Sequence, residues 1–144
     1  MPNRDARDRR IDRTTRIISV VLAASVAVRG IFTSEIVPDY APAAVRGATS
    51  LAPVGLWSAA CLMAAAAVVA GIGFSRAVWA VGLILAAALE TALFVSSVYA
   101  SLAGADPRAW LSGLSSVPLA CIALALIALG PPRPLGIRSG GVAE

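Results

Sequence analysis

Any chemistry this chain performs has to begin at Glu90. Between Arg76 and Asp106 it is the only formal charge, set between AVWAVGLILAAAL and TALFVSSVYASLAGA. A carboxylate in such a setting has two uses. It can exchange a proton for a cation, or it can neutralise a partner charge and fix how helices pack. Ionisable groups inside an apolar span cost about 2.5–3.5 kcal/mol on insertion scales and face a partner or a polar cavity. The natural partner is Arg29, the one arginine inside the first apolar stretch. Ser25, Arg29 and Thr33 fall at i, i+4 and i+8, on one helical face. Glu90, Ser97 and Ser101 fall at i, i+7 and i+11, again on one face. These two polar seams predict helix–helix contact inside a bundle, because polar groups in lipid must find protein partners.

Other chemistry finds little to work with. The chain has no histidine, which excludes a His-based triad or metal site. Its two cysteines, Cys61 and Cys121, each lie in an apolar stretch without nearby ligands, so neither a disulfide framework nor a zinc site is expected. Glycine-rich phosphate loops, HExxH and nucleophile elbows are also missing. The expectation is a non-enzymatic protein with no cofactor.

The elements that carry Glu90 and Arg29 must therefore be membrane helices. Hydrophobic residues make up 58% of the 144 and charged residues 14%, well below the roughly 25% charged of soluble domains. The spacing predicts four spans at about 17–37, 53–74, 77–102 and 109–130, each near the roughly 20 residues a bilayer core requires. Pro38 ends the first span, since it disfavours helix in the residue before it. Ser50 and Pro53 read as cap and first-turn proline of the second. Gly71 to Arg76 reads as a short turn, Pro118 is placed to bend the fourth span, and Pro131, Pro132 and Pro134 stop it. Ala60, Ala64 and the Gly82/Ala86 and Ala23/Ala27 pairs read as surfaces for ordinary close packing. Residues 1–16 alternate Arg and Asp, and read as a solvated tail or a frayed helix start. Residues 131–144 read as a flexible tail. A basic start, an apolar stretch and Ser25-Val26-Ala27 also fit a cleaved leader. The apolar run continues through Ile31-Phe32 and Ile36-Val37, which favours a retained anchor.

All twelve basic residues are arginine. Six precede Ile17, and with Arg76, Arg133 and Arg138 nine fall on one side of a four-span topology. The positive-inside rule then places both termini in the cytoplasm, N-in/C-in, in a bacterial plasma membrane. The same placement reads the arginine tail as a topology signal rather than a nucleic-acid surface. Tyr40, Trp57, Tyr99 and Trp110 fall at the outer level, and Phe74 and Trp79 at the inner level, as interfacial anchors would. In this topology the first and third helices are parallel. Arg29 lies twelve residues from Ile17, roughly 18 Å deep, and Glu90 thirteen from Ala77, roughly 20 Å deep. An intramembrane Arg29–Glu90 ion pair is expected, with Thr33, Ser25 or Ser97 completing its hydrogen bonds. Glu35 lies on a different face of the first helix, nearer the outer surface.

The Arg-rich tail, four spans, the PVGLW start of the second and the ALIALGPPRP ending resemble small uncharacterised four-span membrane proteins of actinobacterial phages and prophages. The resemblance implies no catalytic residues and no ligand. It implies a role in the host membrane, either holin-like remodelling or exclusion of competing phages. Size and span count also resemble small four-helix multidrug antiporters, but those carry their essential glutamate in the first helix, where this chain has Arg29. The fold expected is thus an all-α, four-helix transmembrane bundle, with the lipid bilayer, a homo-oligomer or a membrane partner protein as its contacts. The alternative is a small proton-coupled transporter using Glu90.

Overall fold

The computed structural model describes residues 3–32, 53–104 and 109–131. They form α1 (Asn3–Phe32), α2 (Val54–Gly73), α3 (Arg76–Leu102), α4 (Ala109–Leu114) and α5 (Ser116–Leu129), with α4 and α5 making one broken fourth helix. Three stretches are long and apolar enough to cross a membrane: Arg9–Phe32, Gly55–Gly73 and Arg76–Leu102. Thr33 and Tyr40, and the tail over 132–144, lie outside the described residues.

The first helix begins far earlier than its apolar run. Charge spacing accounts for part of this: Asp12 and Arg16 are four residues apart and pair at 3.0 Å on the helix surface. Thr15 Oγ1 donates to the Ile11 carbonyl at 3.0 Å and Ser19 Oγ to the Thr15 carbonyl at 2.8 Å. These hydroxyls therefore stay bonded within the helix rather than competing with it. Of the two expectations for 1–16, a solvated tail or a helix start, the second holds: the stretch is helical from Asn3.

α2 begins at Val54, with Pro53 just outside it rather than in its first turn. The turn into α3 is two residues, Phe74 and Ser75. Ser75 caps α3 by accepting from the Val78 N–H at 3.5 Å. So short a link forces α2 and α3 into a tight antiparallel pair, and glycine makes the approach possible. A methyl group built on Gly71 would sit 2.2 Å from the Trp79 backbone, and one on Gly82 would sit 2.6 Å from the Val68 nitrogen. Gly82 thus does more than ordinary packing, because α2 backbone lies where its side chain would be.

The fourth helix is not the continuous rod expected over 109–130. It breaks at Ser115, between α4 and α5. Pro118 explains the position: it has no N–H for the Leu114 carbonyl four residues back, and its ring crowds that oxygen.

Around the bundle α2 packs against α1 and α3, α3 against α4 and α5, and α5 more lightly against α1. The core consists of Leu22, Ala23, Val26, Cys61, Ala64, Val68, Trp79, Leu83, Ala86, Ala123 and Leu126, with smaller contributions around them. α1 and α3 lie across the bundle from each other, with little backbone-level contact.

Candidate functional site: a charged clasp across the bundle

Two polar ties cross from α1 to α3. Near one end the Trp79 indole Nε1–H donates to Ser19 Oγ at 3.2 Å. Further along, Arg29 Nη1 donates to Glu90 Oε2 at 2.6 Å. The ties are ten residues apart on α1 and eleven apart on α3, so both helices rise in the same direction by roughly 15–17 Å between them. The long arginine side chain is what spans the gap between non-adjacent helices.

The helix break supplies the remaining partners. Arg29 Nη1 also donates to Ser116 Oγ, and Nη2 donates to Ser115 Oγ at 3.1 Å. The interruption that Pro118 causes therefore leaves two consecutive serines at the level of the guanidinium. Glu90 is 1% exposed, whereas Arg29 keeps 23% of its side chain exposed. Glu90 Oε1 has no hydrogen-bond partner among the described residues. The carboxylate is therefore held on one oxygen only, and the charges of the pair cancel.

Ser25 and Ser97 were expected to complete these hydrogen bonds, and they do not. Ser25 Oγ donates to the Val21 carbonyl at 2.9 Å, and Ser97 Oγ to the Leu93 carbonyl at 2.7 Å. In an apolar setting a hydroxyl on a helix finds its own i−4 carbonyl first. Ser97 is nevertheless fully buried, packed where Gly113 of α4 leaves room for it. Ser101, the last member of that seam, is half-buried. Ser58 is a further tie that the seams do not include: its Oγ donates to the Gly30 carbonyl at 2.7 Å, joining α1 to α2.

Among the aromatic residues expected as interfacial anchors, Phe74 is 91% exposed at the α2–α3 turn. Tyr99 and Trp110 are exposed toward the opposite end of the bundle, and Trp57 is half-buried near the start of α2. Trp79 differs. It is 1% exposed and its N–H is satisfied internally by Ser19, so it is a core residue rather than an anchor. Gly71 makes this possible by letting the start of α3 close onto α2.

Ser19, Ser115 and Ser116 are partners in these ties that the seam pattern misses. Trp79 and Glu90 share one face of α3 at i, i+11, a signal that the stripe continues below Glu90. The Ser115-Ser116 pair just before Pro118 carries a second signal, since a proline break exposes donors and acceptors next to it. Among the described residues no group of three His, Cys, Asp or Glu is placed to hold a metal. Comparison with family models, curated proteins and solved structures returns no match to this chain.

Proposed function

We propose that the chain is a four-span integral protein of a bacterial plasma membrane, with both termini cytoplasmic, and that it acts without catalysis by associating with itself or with a membrane partner. A phage or prophage setting, with a holin-like or exclusion role, is the form of this reading that the sequence layout favours. The observation that carries the reading is the neutral clasp. Arg29 and Glu90 are the charged side chains in the interior of the described bundle, and they are spent on each other. Activity then falls to the outer faces.

One outer face is suited to association. Gly55, Ala59, Ala66 and Gly73 are all exposed and recur at i, i+4, i+11 and i+18 along α2. Helices in lipid associate through close backbone approach, which small residues permit. Expression in a bacterial host tests the reading. Growth arrest with entry of a membrane-impermeant dye, weakened by Ala59→Leu together with Ala66→Leu, supports it. A protein that stays monomeric in mild detergent and in the membrane, and that cross-links to no membrane partner, contradicts it.

Proton-coupled transport is the second reading, and one observation favours it: Glu90 Oε1 is buried with no partner among the described residues. Uptake driven by a proton gradient in vesicles, and lost in Glu90→Gln, would establish it. Its absence in the unmodified protein would remove it.

A further inference from the structure

α1 and α5 are neighbours that meet only lightly. Between them lies an open groove of about 650 Å3, lined by Val21, Ala24, Val28, Arg29, Ser115 and Leu119 among others. Its lining is apolar except for Ser25, whose hydroxyl is bonded to the Val21 carbonyl, and for one end, where Arg29 and Ser115 stand. Arg29 still has donors to give there. A guanidinium carries five N–H groups. Nη1 serves Glu90 and Ser116, and Nη2 serves Ser115 with one of its two hydrogens. The second Nη2–H and the Nε–H have no partner among the described residues, while 23% of the side chain faces outward. In hydrocarbon such donors need an acceptor.

We propose that this groove binds a membrane glycerolipid, with one acyl chain along Val21, Ala24 and Val28 and an ester carbonyl oxygen accepting from the free Arg29 donors. The proposal rests on the membrane reading above and adds a ligand to it. Three observations select this occupant. The first is charge: Glu90 already balances Arg29, so a carboxylate or phosphate at the same place would itself be left uncompensated. An uncharged acceptor would not. The second is position. The carbonyl of Gly30, next to Arg29, accepts from Ser58 only four residues into α2, roughly 6 Å along its axis, so Arg29 lies toward the end of the bundle at which, on the membrane reading, a lipid's ester groups sit. The third is direction. From Arg29 the groove runs back eight residues to Val21, roughly 12 Å, past Ser25, whose hydroxyl donates to the Val21 carbonyl, so an acyl chain along it meets no unpaired donor.

The test uses the full chain, purified in mild detergent after extraction from membranes. Recovery in the soluble fraction without detergent would overturn the membrane reading itself, before any lipid is added. The detergent-solubilised protein is then exposed to an equimolar mixture of a diester phosphatidylethanolamine, its diether analogue with the same chains and headgroup, and oleate. Retained molecules are counted by native mass spectrometry. A hydrogen bond to a charged donor predicts that the diester is retained about tenfold or more over the diether, which lacks only the carbonyl oxygens. Ala24→Trp fills the groove from an exposed position, and should abolish retention of the diester while leaving the unfolding midpoint unchanged. Equal retention of diester and diether by the unmodified protein would overturn the proposal, as would preference for oleate. A lipid-free dimer dissociated by Ala24→Trp would also overturn it, and would give the groove to a second copy of the chain.

Discussion

Arg29 is donor to three acceptors drawn from two other helices, and this determines how the surrounding residues should respond to change. Ser116 shares Nη1 with Glu90, so Ser116→Ala removes one acceptor and leaves the ion pair in place. Trp79 and Ser19 form the neutral counterpart of this tie. Trp79→Phe keeps most of the buried ring and removes the N–H, and should cost about 0.5–1.5 kcal/mol, the net worth of an ordinary hydrogen bond. Unfolding in mixed micelles of increasing denaturing detergent measures it. A cost near that of a large-to-small core change would mean that packing, not the bond to Ser19, holds the indole. Arg29 and Glu90 were readable as a pair in the sequence because Glu90 is the isolated charge of its span, Arg29 is the one arginine of its own, and helical rise puts them at matching depth. The serines that join them were not, because which hydroxyl turns outward depends on whether its own helix offers a carbonyl. Ser25 and Ser97 have one and use it. Ser115 and Ser116 stand at a break.

At the scale of the helices, two features govern the assembly: a two-residue turn and a proline. The turn holds α2 and α3 so close that glycine is required at Gly71 and Gly82. Gly71→Ala would drive a methyl group into the Trp79 backbone, where nothing can rotate away. A loss of about 1–3 kcal/mol is expected from overpacking, or more if the helices must separate. Gly73→Ala, with open space around it, should be near neutral. The same detergent unfolding series reads both, and an equal effect at the two sites would contradict the close approach. Helix positions were largely evident from hydrophobic runs bounded by glycine and proline. The helical start at Asn3 was one of two readings, since a polar Arg/Asp segment fits a tail as well as a helix start until its i, i+4 pairing is seen. The depth of the break at Ser115 was not evident, because a proline can bend a helix without interrupting it.

For the molecule as a whole, the parallel rise of α1 and α3 follows from the two ties between them, and it is the arrangement a four-span chain with both ends on one side would have. Reporter fusions after residues 46, 76, 106 and 144 should read out, in, out and in. A C-terminal reporter active outside would leave three crossing helices and a fourth helix that does not span, consistent only with the shorter apolar length of α5. The burial of Trp79 shows where a sequence-level view of the whole is weakest. An aromatic residue near the end of a span has the same letter whether it faces headgroups or the core, and only the packing of α2 against α3 separates the two.

A charged clasp between α1 and α3 closes the bundle, and a double-mutant cycle tests this most directly. Arg29→Met and Glu90→Gln are made singly and together, and each protein is unfolded in mixed micelles. Removing one partner leaves the other charge buried or half-buried without compensation, at a cost of about 3–5 kcal/mol. Removing both leaves no such charge, so the double variant should be clearly more stable than either single one. A double variant no more stable than the worse single one would show that the two side chains do not act on each other, and would contradict the account.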